Sequence, residues 1–285
     1  AFTKPGDGIV LFTPVYHAFP KVINASDRRV VECEMVNNDG RLAMDFDAYD
    51  AQMDGSETMV ILCSPHNPGG RVWTREELQG VADFAKRHDL ILVSDEIHHD
   101  LVFDGPHTVM ATISPEIAAQ TVTFTSASKT FNLAGGHTGN AIISNPELRR
   151  KLQRQLERCG FGGGNRFGYL MTTAAYADSE DWLDALVAYL KGNRDYVDQV
   201  VADKLPGVSS VKLDATYLSW LDFSGTGMDQ AEIVRRFEKE AKVACNHGPS
   251  FGPGGEGFMR LNFACSRAMV EDGMSRIVDA FSDLQ

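Results

Sequence analysis

A histidine and an asparagine stand together where an apolar run of the chain ends. Residues 59–63 (Met-Val-Ile-Leu-Cys) are typical of a strand buried on both faces, and residues 64–70 (Ser-Pro-His-Asn-Pro-Gly-Gly) follow directly. An ordinary turn would explain the glycines and prolines. It would not explain His66 and Asn67 at the carboxyl end of a parallel strand, where open α/β sheets bind ligands. We therefore interpret this segment as part of a binding site.

Two neighbouring carboxylates end the next apolar run. Residues 90–94 are Leu-Ile-Leu-Val-Ser, and Asp95, Glu96, Ile97 and His98 follow. A metal site is one interpretation, but neighbouring residues of a strand point to opposite faces, so Asp95 and Glu96 cannot easily bind one ion. A single buried Asp95 that meets a cation is the better hypothesis, and a solvated loop is the plain alternative.

A lysine surrounded by hydroxyl groups follows a third run. Residues 122–125 are Val-Thr-Phe-Thr, and residues 126–136 are Ser-Ala-Ser-Lys-Thr-Phe-Asn-Leu-Ala-Gly-Gly. A lysine that is partly shielded from water loses proton affinity and becomes an amine nucleophile. A surface lysine is the plain alternative for Lys129, but the Ser-x-Ser and Gly-Gly neighbours favour the nucleophile.

Strands that alternate with helices would position these groups. Further apolar runs predict strands at 9–12 and 141–143, and Thr74 followed by Glu77 predicts a capped helix start. This helix should end near His88. Its predicted apolar face consists of Leu78, Val81, Ala82, Phe84 and Ala85. Strand, helix and strand repeated in this way indicate a largely parallel α/β sheet.

The character of the chain changes after residue 146. A charged helix is predicted at 146–159, followed by a glycine-rich break and long helices between 166 and 204. A smaller α+β unit should follow, with strands at 208–213, 216–223 and 259–264 and helices at 229–242 and from 267 onward. We predict a large domain at 1–190 and a small carboxyl-terminal domain at 191–285.

Composition excludes several classes of protein. The 27 Lys and Arg residues against 39 Asp and Glu residues give a net charge of −12, which speaks against nucleic acid or an anionic membrane as partner. The sequence has no apolar run long enough to span a bilayer, and we expect no signal peptide at its start. The five cysteines are scattered and form no CxxC pair, which predicts reduced thiols in the cytoplasm and no zinc site.

Four motifs in order resemble one enzyme family. Ser-Pro-His-Asn-Pro-x-Gly at 64–70, Ser-Asp-Glu-Ile-His at 94–98, Ser-x-Ser-Lys-x-Phe-Asn-x-x-Gly at 126–135 and Arg-Leu-Asn-Phe-Ala at 260–264 are similar to fold-type-I pyridoxal-phosphate enzymes, the class I/II aminotransferase superfamily. The resemblance extends over essentially the whole chain. It implies a three-layer α/β domain with a mostly parallel sheet, an amino-acid substrate and pyridoxal 5′-phosphate as cofactor.

The resemblance also implies roles for single residues. Lys129 matches the Schiff-base lysine, which also moves the proton of the substrate α-carbon. Asp95 matches the carboxylate at the pyridinium nitrogen, and Asn67 matches the amide on the phenolic oxygen. His98 takes the place of a second contact near that oxygen. Arg260 matches the arginine that binds the substrate α-carboxylate in a two-pronged geometry.

The remaining site residues are implied around the ring and the phosphate. Tyr16 matches the aromatic side chain that stacks on the pyridine ring. Ser126 and Ser128 flank the lysine, and the family places such hydroxyls near the phosphate. His137 stands where many relatives have an arginine on the phosphate, so charge neutralisation would differ here.

The reaction stays open between related chemistries. His66 before Asn67-Pro68, Trp73 and His98 resemble the cystathionine β-lyase or cysteine-S-conjugate β-lyase branch. A carbon–sulfur lyase that releases thiol, pyruvate and ammonia is therefore the first hypothesis. An aminotransferase of an L-amino acid is the alternative, since both reactions use the same core residues.

The resemblance bears on assembly and on the start of the chain. Family members are homodimers with the active site at the subunit interface, so a homodimer is expected here. They also carry an amino-terminal segment, which contributes to phosphate binding, ahead of the part that matches Pro5-Gly6-Asp7. We expect this segment to be missing, which motivates a third hypothesis, a truncated homologue without catalysis.

Overall fold

The computed structural model describes residues 1–38 and 40–284. The strands there are β1 (Gly8–Thr13), β2 (Arg29–Glu34), β3 (Val36–Asn38), β4 (Arg41–Ala43), β5 (Glu57–Cys63), β6 (Ile91–Asp95), β7 (Thr121–Thr125), β8 (Asn140–Ile142), β9 (Ser209–Ser210), β10 (Leu218–Asp222), β11 (Asn246–His247) and β12 (Phe258–Asn262). The α-helices are α1 (Ala18–Ala25), α2 (Phe46–Asp50), α3 (Arg75–Arg87), α4 (Pro115–Gln120), α5 (Ala127–Thr130), α6 (Pro146–Arg158), α7 (Arg166–Asp178), α8 (Glu180–Lys204), α9 (Gln230–Arg235) and α10 (Arg267–Ala280).

The larger sheet of the described residues has the spatial order β2-β1-β5-β6-β7-β8. Its neighbouring strands are parallel except for β8, which runs antiparallel to β7. The predicted strands at 9–12, 59–63, 90–94, 122–125 and 141–143 correspond to β1, β5, β6, β7 and β8, which confirms the predicted α/β class. Because the first five strands are parallel, the carboxyl ends of β1, β5, β6 and β7 lie at one edge of the sheet.

Helices cover both faces of this sheet. Val10 and Phe12 of β1 pack in a core cluster with α3, whereas Ile9 and Leu11 pack on the opposite face with Ile23 of α1. The alternation follows from the pleat, which points successive side chains to opposite sides. The result is the three-layer arrangement that the resemblance implied.

Helix α3 forms as the sequence predicts. Thr74 accepts a hydrogen bond from the Glu77 backbone N–H, and the Glu77 carboxylate accepts one from the Thr74 backbone N–H, so the capping box is complete. The predicted apolar face is buried, with Leu78, Val81, Ala82, Phe84 and Ala85 against the sheet. The helix ends at Arg87, with His88 as its carboxyl-terminal cap.

A second sheet, β11-β12-β10-β9, lies in the carboxyl-terminal part of the described chain. It packs with α8 and α10 around a core that includes Leu221, Phe223, Met259 and Phe281. The predicted division between residues 190 and 191 falls inside α8 and stays a prediction. Across the described residues, no helix has both the length and the apolar character that a membrane crossing requires.

The predicted strand at 208–213 is wrong over most of its length, because only Ser209–Ser210 is a strand. The Val211 backbone N–H still donates to β10, and after Val211 tertiary hydrogen bonds take the backbone away from the sheet. The backbone N–H groups of Asp214 and Ala215 both donate to the Gly70 carbonyl oxygen, at 2.9 Å each. The segment thereby joins the second sheet to the turn that carries Asn67.

Gly70 is the residue on which this junction depends. Its φ is +62°, in the left-handed region, and a Cβ there would overlap Leu213 Cδ2 and lie 3.1 Å from the Ala215 carbonyl oxygen. We expect Gly70→Ala to lower the free energy of unfolding by about 2–4 kcal/mol, because it adds both backbone strain and a clash. Urea unfolding followed by circular dichroism measures the change.

Gly105→Ala is the matched control for this prediction. Gly105 also has a positive φ, +83°, but no described atom lies within 4 Å of its Cβ position. The control pays only the backbone cost of about 1–2 kcal/mol. Equal losses for the two variants would contradict the assigned clash with Leu213.

Candidate active site

A cavity of about 820 Å³ lies at the carboxyl edge of the larger sheet. The segments that follow β1, β5, β6 and β7 form one side of it, and Tyr217 and Arg260 of the carboxyl-terminal part close the other. Nine residues to which the sequence analysis gave a site role line this cavity: Tyr16, Asn67, Asp95, His98, Ser126, Ser128, Lys129, His137 and Arg260. The structure thus brings together residues that lie up to 244 positions apart, from Tyr16 to Arg260.

Asp95 ends β6 and faces the cavity. Its Oδ1 accepts a hydrogen bond of 3.2 Å from the Ile97 backbone N–H. Burial raises the pKa of Asp95 to about 6, although the Ile97 N–H and the positive charge of Lys129 both act to lower it. The site therefore disfavours an isolated negative charge here, and a cation bound in the cavity would restore the ionised form.

Glu96 points away from the cavity, as the alternation along a strand predicts. Its carboxylate is buried, and it accepts hydrogen bonds from the Ser94 hydroxyl at 2.8 Å and from the Met110 backbone N–H at 3.0 Å. The other oxygen lies 2.7 Å from His107 Nε2. Glu96 is thus a structural residue, and the single-carboxylate hypothesis for Asp95 agrees with this geometry.

Lys129 stands on the single-turn helix α5, directly after β7. Ser126 caps this helix by accepting a hydrogen bond of 3.1 Å from the Ser128 backbone N–H. The Ser126 hydroxyl donates to the Thr138 carbonyl oxygen at 2.6 Å, and its oxygen lies 2.6 Å from Ser128 Oγ. Because a carbonyl only accepts, Ser128 must be the donor between the two hydroxyls. Ser128 can therefore turn its proton to a ligand without breaking the cap.

Arg260 is held in place by two amides. Its Nη1 donates to Asn67 Oδ1 at 2.8 Å and its Nη2 donates to Asn246 Oδ1 at 2.6 Å. The guanidinium carbon also lies 4.8 Å from the centre of the Phe251 ring, and burial lowers the pKa of the group. Since the Asn67 oxygen accepts from Arg260, the Asn67 amide nitrogen remains the donor for a ligand oxygen.

His98 is buried and neutral at pH 7. Burial, together with the positive charges of Lys129 and Arg260, lowers its pKa to about 3. Its ring meets the Tyr217 ring edge-on, with the two centres 5.5 Å apart. Within residues 1–38 and 40–284, its Nδ1 has no hydrogen-bond partner, which leaves a polar atom for a ligand or a water molecule.

Tyr16 and His137 are the two remaining site residues predicted from the sequence. Tyr16 is half-buried beside His17, with ring centres 4.9 Å apart. His137 is exposed at the cavity rim and has a positive φ of 45°.

His66 does not line the cavity. Its ring is buried beside Trp73, and its Nδ1 accepts a hydrogen bond of 3.2 Å from the Gly69 backbone N–H. Burial lowers the pKa of His66 to about 3, so the ring is neutral and acts as an acceptor. This histidine shapes the turn that presents Asn67 and has no contact with the cavity of its own.

The sequence analysis missed several residues that the structure places here. Tyr217 and His17 line the cavity, and Asn246 holds Arg260. Only Tyr217 had an available signal, because it lies within the predicted strand at 216–223, in the same predicted carboxyl-terminal domain as Arg260. In the structure this strand, β10, pairs antiparallel with β12, which places Trp220 opposite Arg260 and Leu218 opposite Asn262.

Comparison with known proteins identifies the class. The family described as aminotransferase class I and II matches residues 1–277, and the chain belongs to this family. It is 42% identical over 284 residues to cystathionine beta-lyase PatB of Bacillus subtilis (strain 168). The aligned residues are 99% of this chain and 73% of that protein.

Solved structures show the same arrangement. Cystalysin from Treponema denticola, whose crystal structure contains a pyridoxal 5′-phosphate cofactor, has a TM-score of 0.96 at 35% identity, over 100% of this chain and 73% of that one. The pyridoxal-phosphate-bound C–S lyase from Staphylococcus hominis has a TM-score of 0.90 at 31% identity, over 98% of this chain and 71% of that one.

Proposed function

We propose that this protein is a pyridoxal-phosphate-dependent carbon–sulfur β-lyase. It acts on cystathionine or another cysteine S-conjugate and gives a thiol, pyruvate and ammonia. One observation carries the proposal: the cavity joins an amine (Lys129), a carboxylate (Asp95) and a guanidinium (Arg260) in a chain that is 42% identical to a cystathionine β-lyase.

The donor set of the cavity fits pyridoxal phosphate. Its volume of about 820 Å³ exceeds what the coenzyme alone fills and leaves room for an amino acid. Asp95 would offer a carboxylate to the cationic ring nitrogen, and Ser126 and Ser128 would contribute to holding the phosphate. The unpartnered Nδ1 of His98 and the amide nitrogen of Asn67 suit polar atoms of the ring.

The residues divide the chemistry among themselves. When bound, pyridoxal phosphate supplies an electron sink for the pair left behind by the departing α-proton. Lys129 would hold the coenzyme through its Nζ and would take the proton from the α-carbon of the substrate. Asp95 would hold the ring nitrogen, and its negative charge would favour the cationic form of the ring.

Arg260 and Asn67 orient the substrate and the coenzyme. The guanidinium binds the substrate α-carboxylate through two parallel hydrogen bonds, and Asn246 and Phe251 fix its plane. In the reaction the Cα–H and Cβ–S bonds break, the sulfur leaves as a thiol, and 2-aminoacrylate takes up water to give pyruvate and ammonia. The whole reaction consumes one water and needs no oxidant.

We expect Arg260→Lys to raise KM for cystathionine by about 10- to 100-fold with a smaller fall in kcat, because an ammonium replaces a planar two-pronged donor. Steady-state kinetics of pyruvate release measures both constants. Arg276→Lys is the control, since Arg276 is an exposed residue of α10 that pairs with Asp272 at 2.8 Å. An unchanged KM for Arg260→Lys would contradict the assignment of Arg260 as the residue that binds the substrate α-carboxylate.

The activity itself is tested with purified, coenzyme-loaded protein and L-cystathionine. The proposal expects equal amounts of thiol and pyruvate, measured by a thiol reagent and by lactate dehydrogenase. Conversion of the coenzyme to pyridoxamine phosphate without pyruvate would instead assign an aminotransferase. Failure to bind pyridoxal phosphate at all would favour the non-catalytic homologue.

We also propose that the protein is a cytoplasmic homodimer. Three large apolar side chains between residues 161 and 170 are exposed, with Phe161 at 65%, Phe167 at 73% and Leu170 at 67%, and Phe161 also lines the cavity. Their exposure favours a second copy as their cover. The free thiols of Cys33, Cys63, Cys159, Cys245 and Cys265 support a reducing compartment. Sedimentation equilibrium measures the oligomeric state, and a monomer at micromolar concentration would contradict the dimer.

A further inference from the structure

One carboxylate outside the cavity collects three polar partners. Asp100 Oδ2 accepts a hydrogen bond of 2.7 Å from the Thr130 hydroxyl and one of 2.9 Å from the Tyr176 hydroxyl. Its Oδ1 lies 3.1 Å from His99 Nε2. Burial and the Asp100 charge both raise the pKa of Tyr176, so that hydroxyl remains protonated and donates. Asp100 is thus an acceptor for groups from two different helices.

The first partner is the direct neighbour of Lys129. Thr130 is fully buried and is the last residue of α5, which has only the four residues Ala127–Thr130. A single helical turn is not stable by itself, because so few of its backbone groups can bond within the helix. Its orientation therefore depends on side-chain anchors. Ser126 anchors its start, and Thr130 anchors its end on Asp100.

The carboxylate that anchors Thr130 belongs to the loop after β6, which also carries predicted site residues. Asp95, His98 and Asp100 belong to one segment, and its backbone is fixed by two turns. The His99 N–H donates to the Glu96 carbonyl oxygen at 3.0 Å, and the Leu101 N–H donates to the His98 carbonyl oxygen at 2.9 Å. The Asp100–Thr130 bond thus joins the loop after β6 to the helix after β7.

We propose that Asp100, acting through Thr130, is a positioning residue that fixes the Lys129 amine relative to Asp95 and His98. The proposal rests on the proposed function, because only a coenzyme between Lys129 and Asp95 makes their relative position matter. Asp100 is not among the residues that line the cavity, so its effect on the site would pass through Thr130. The second donor, Tyr176, ties the same carboxylate to α7.

The test compares Thr130→Val with Thr130→Ser in coenzyme-loaded protein. Valine keeps the shape but removes the donor, whereas serine keeps the donor. Two readouts apply: kcat with L-cystathionine, and the visible circular dichroism of pyridoxal phosphate, an achiral group whose signal reports how the protein holds it. We expect Thr130→Val to lower kcat by about 10- to 100-fold and to reduce the circular dichroism per bound coenzyme, since small misplacements of reacting groups are costly.

Thr130→Ser should recover most of both signals, and Asp100→Ala should reproduce the loss. Thr121→Val is the matched control, because Thr121 is also buried and its hydroxyl donates to the Ile117 carbonyl oxygen at 2.6 Å, but at the opposite end of β7. That control is expected to lower the melting temperature as much as Thr130→Val does, with the circular dichroism of the coenzyme retained.

The outcomes separate this inference from the proposed function. If borohydride fixes pyridoxal phosphate on Lys129 of the unmodified protein, the coenzyme assignment holds, and the variants then test Asp100. If Thr130→Val leaves both kcat and the circular dichroism of the coenzyme unchanged, the positioning role is overturned, even if the melting temperature falls. If the unmodified protein forms no such adduct, the proposed function and the inference fail together.

Discussion

Lys129→Ala is expected to lower kcat for cystathionine by about 10⁴-fold or more, because the proposed function requires this one side chain both to hold the coenzyme and to move the α-proton. Among the described residues that line the cavity, Lys129 is the only lysine, so no other side-chain amine is placed to replace it. The variant should also lose the borohydride-stable attachment of pyridoxal phosphate, which mass spectrometry of the tryptic peptides measures. Two independent signals therefore depend on the same nitrogen atom.

Lys151→Ala is the control for this experiment. Lys151 is exposed on α6 and does not line the cavity. Its replacement should leave kcat and coenzyme attachment unchanged, and both variants should keep the melting temperature of the unmodified protein to within a few degrees. A Lys129→Ala protein that retained a tenth of the activity would show that another base removes the proton, and the assignment of Lys129 would be wrong.

The sequence predicted the larger sheet well where the strands are buried on both faces. β1, β5 and β6 are continuous apolar runs, and such runs have few other places to go in a folded chain. The edge strand β2 was missed, because its sequence Arg-Val-Val-Glu-Cys-Glu exposes charged side chains and hides only Val31 and Cys33. A strand with one solvated edge carries a weaker pattern.

The same contrast holds in the site. Residues that follow buried strands were found, since the parallel sheet brings all strand ends to one edge whatever the loops do. Asn246 and the Asp100–Thr130 bond were not found, because each depends on how separate segments pack. Asn246 reaches Arg260 from the neighbouring strand, and Thr130 meets Asp100 across 30 positions. The local sequence pattern does not predict contacts between residues that lie so far apart in the chain.

The carboxylate of Asp95 connects stability with function through its charge. Its ordinary pKa of 3.8 is raised to about 6 in the folded protein, mainly by burial. Between these two pH values the folded protein binds more protons than the unfolded chain, so stability falls as the pH rises through this window. Above about pH 6 the folded protein without coenzyme carries the full cost of a poorly solvated negative charge.

Asp95→Asn should therefore change stability and activity in opposite directions. At pH 8 the variant without coenzyme should gain up to ~3 kcal/mol of unfolding free energy, the equivalent of a pKa difference between 3.8 and about 6, and the gain should vanish below pH 4. The loaded variant should lose about 10²- to 10³-fold in kcat, because a neutral amide cannot hold the ring nitrogen in its cationic form. Asp104→Asn is the control, since Asp104 is exposed and its hydrogen bond to Lys191 lowers its pKa, so its loss should not stabilise the protein. Urea unfolding at several pH values measures the change in stability, and pyruvate release measures the change in kcat. If Asp95→Asn is less stable than the original protein at pH 8, the folded structure does not disfavour the ionised form of Asp95.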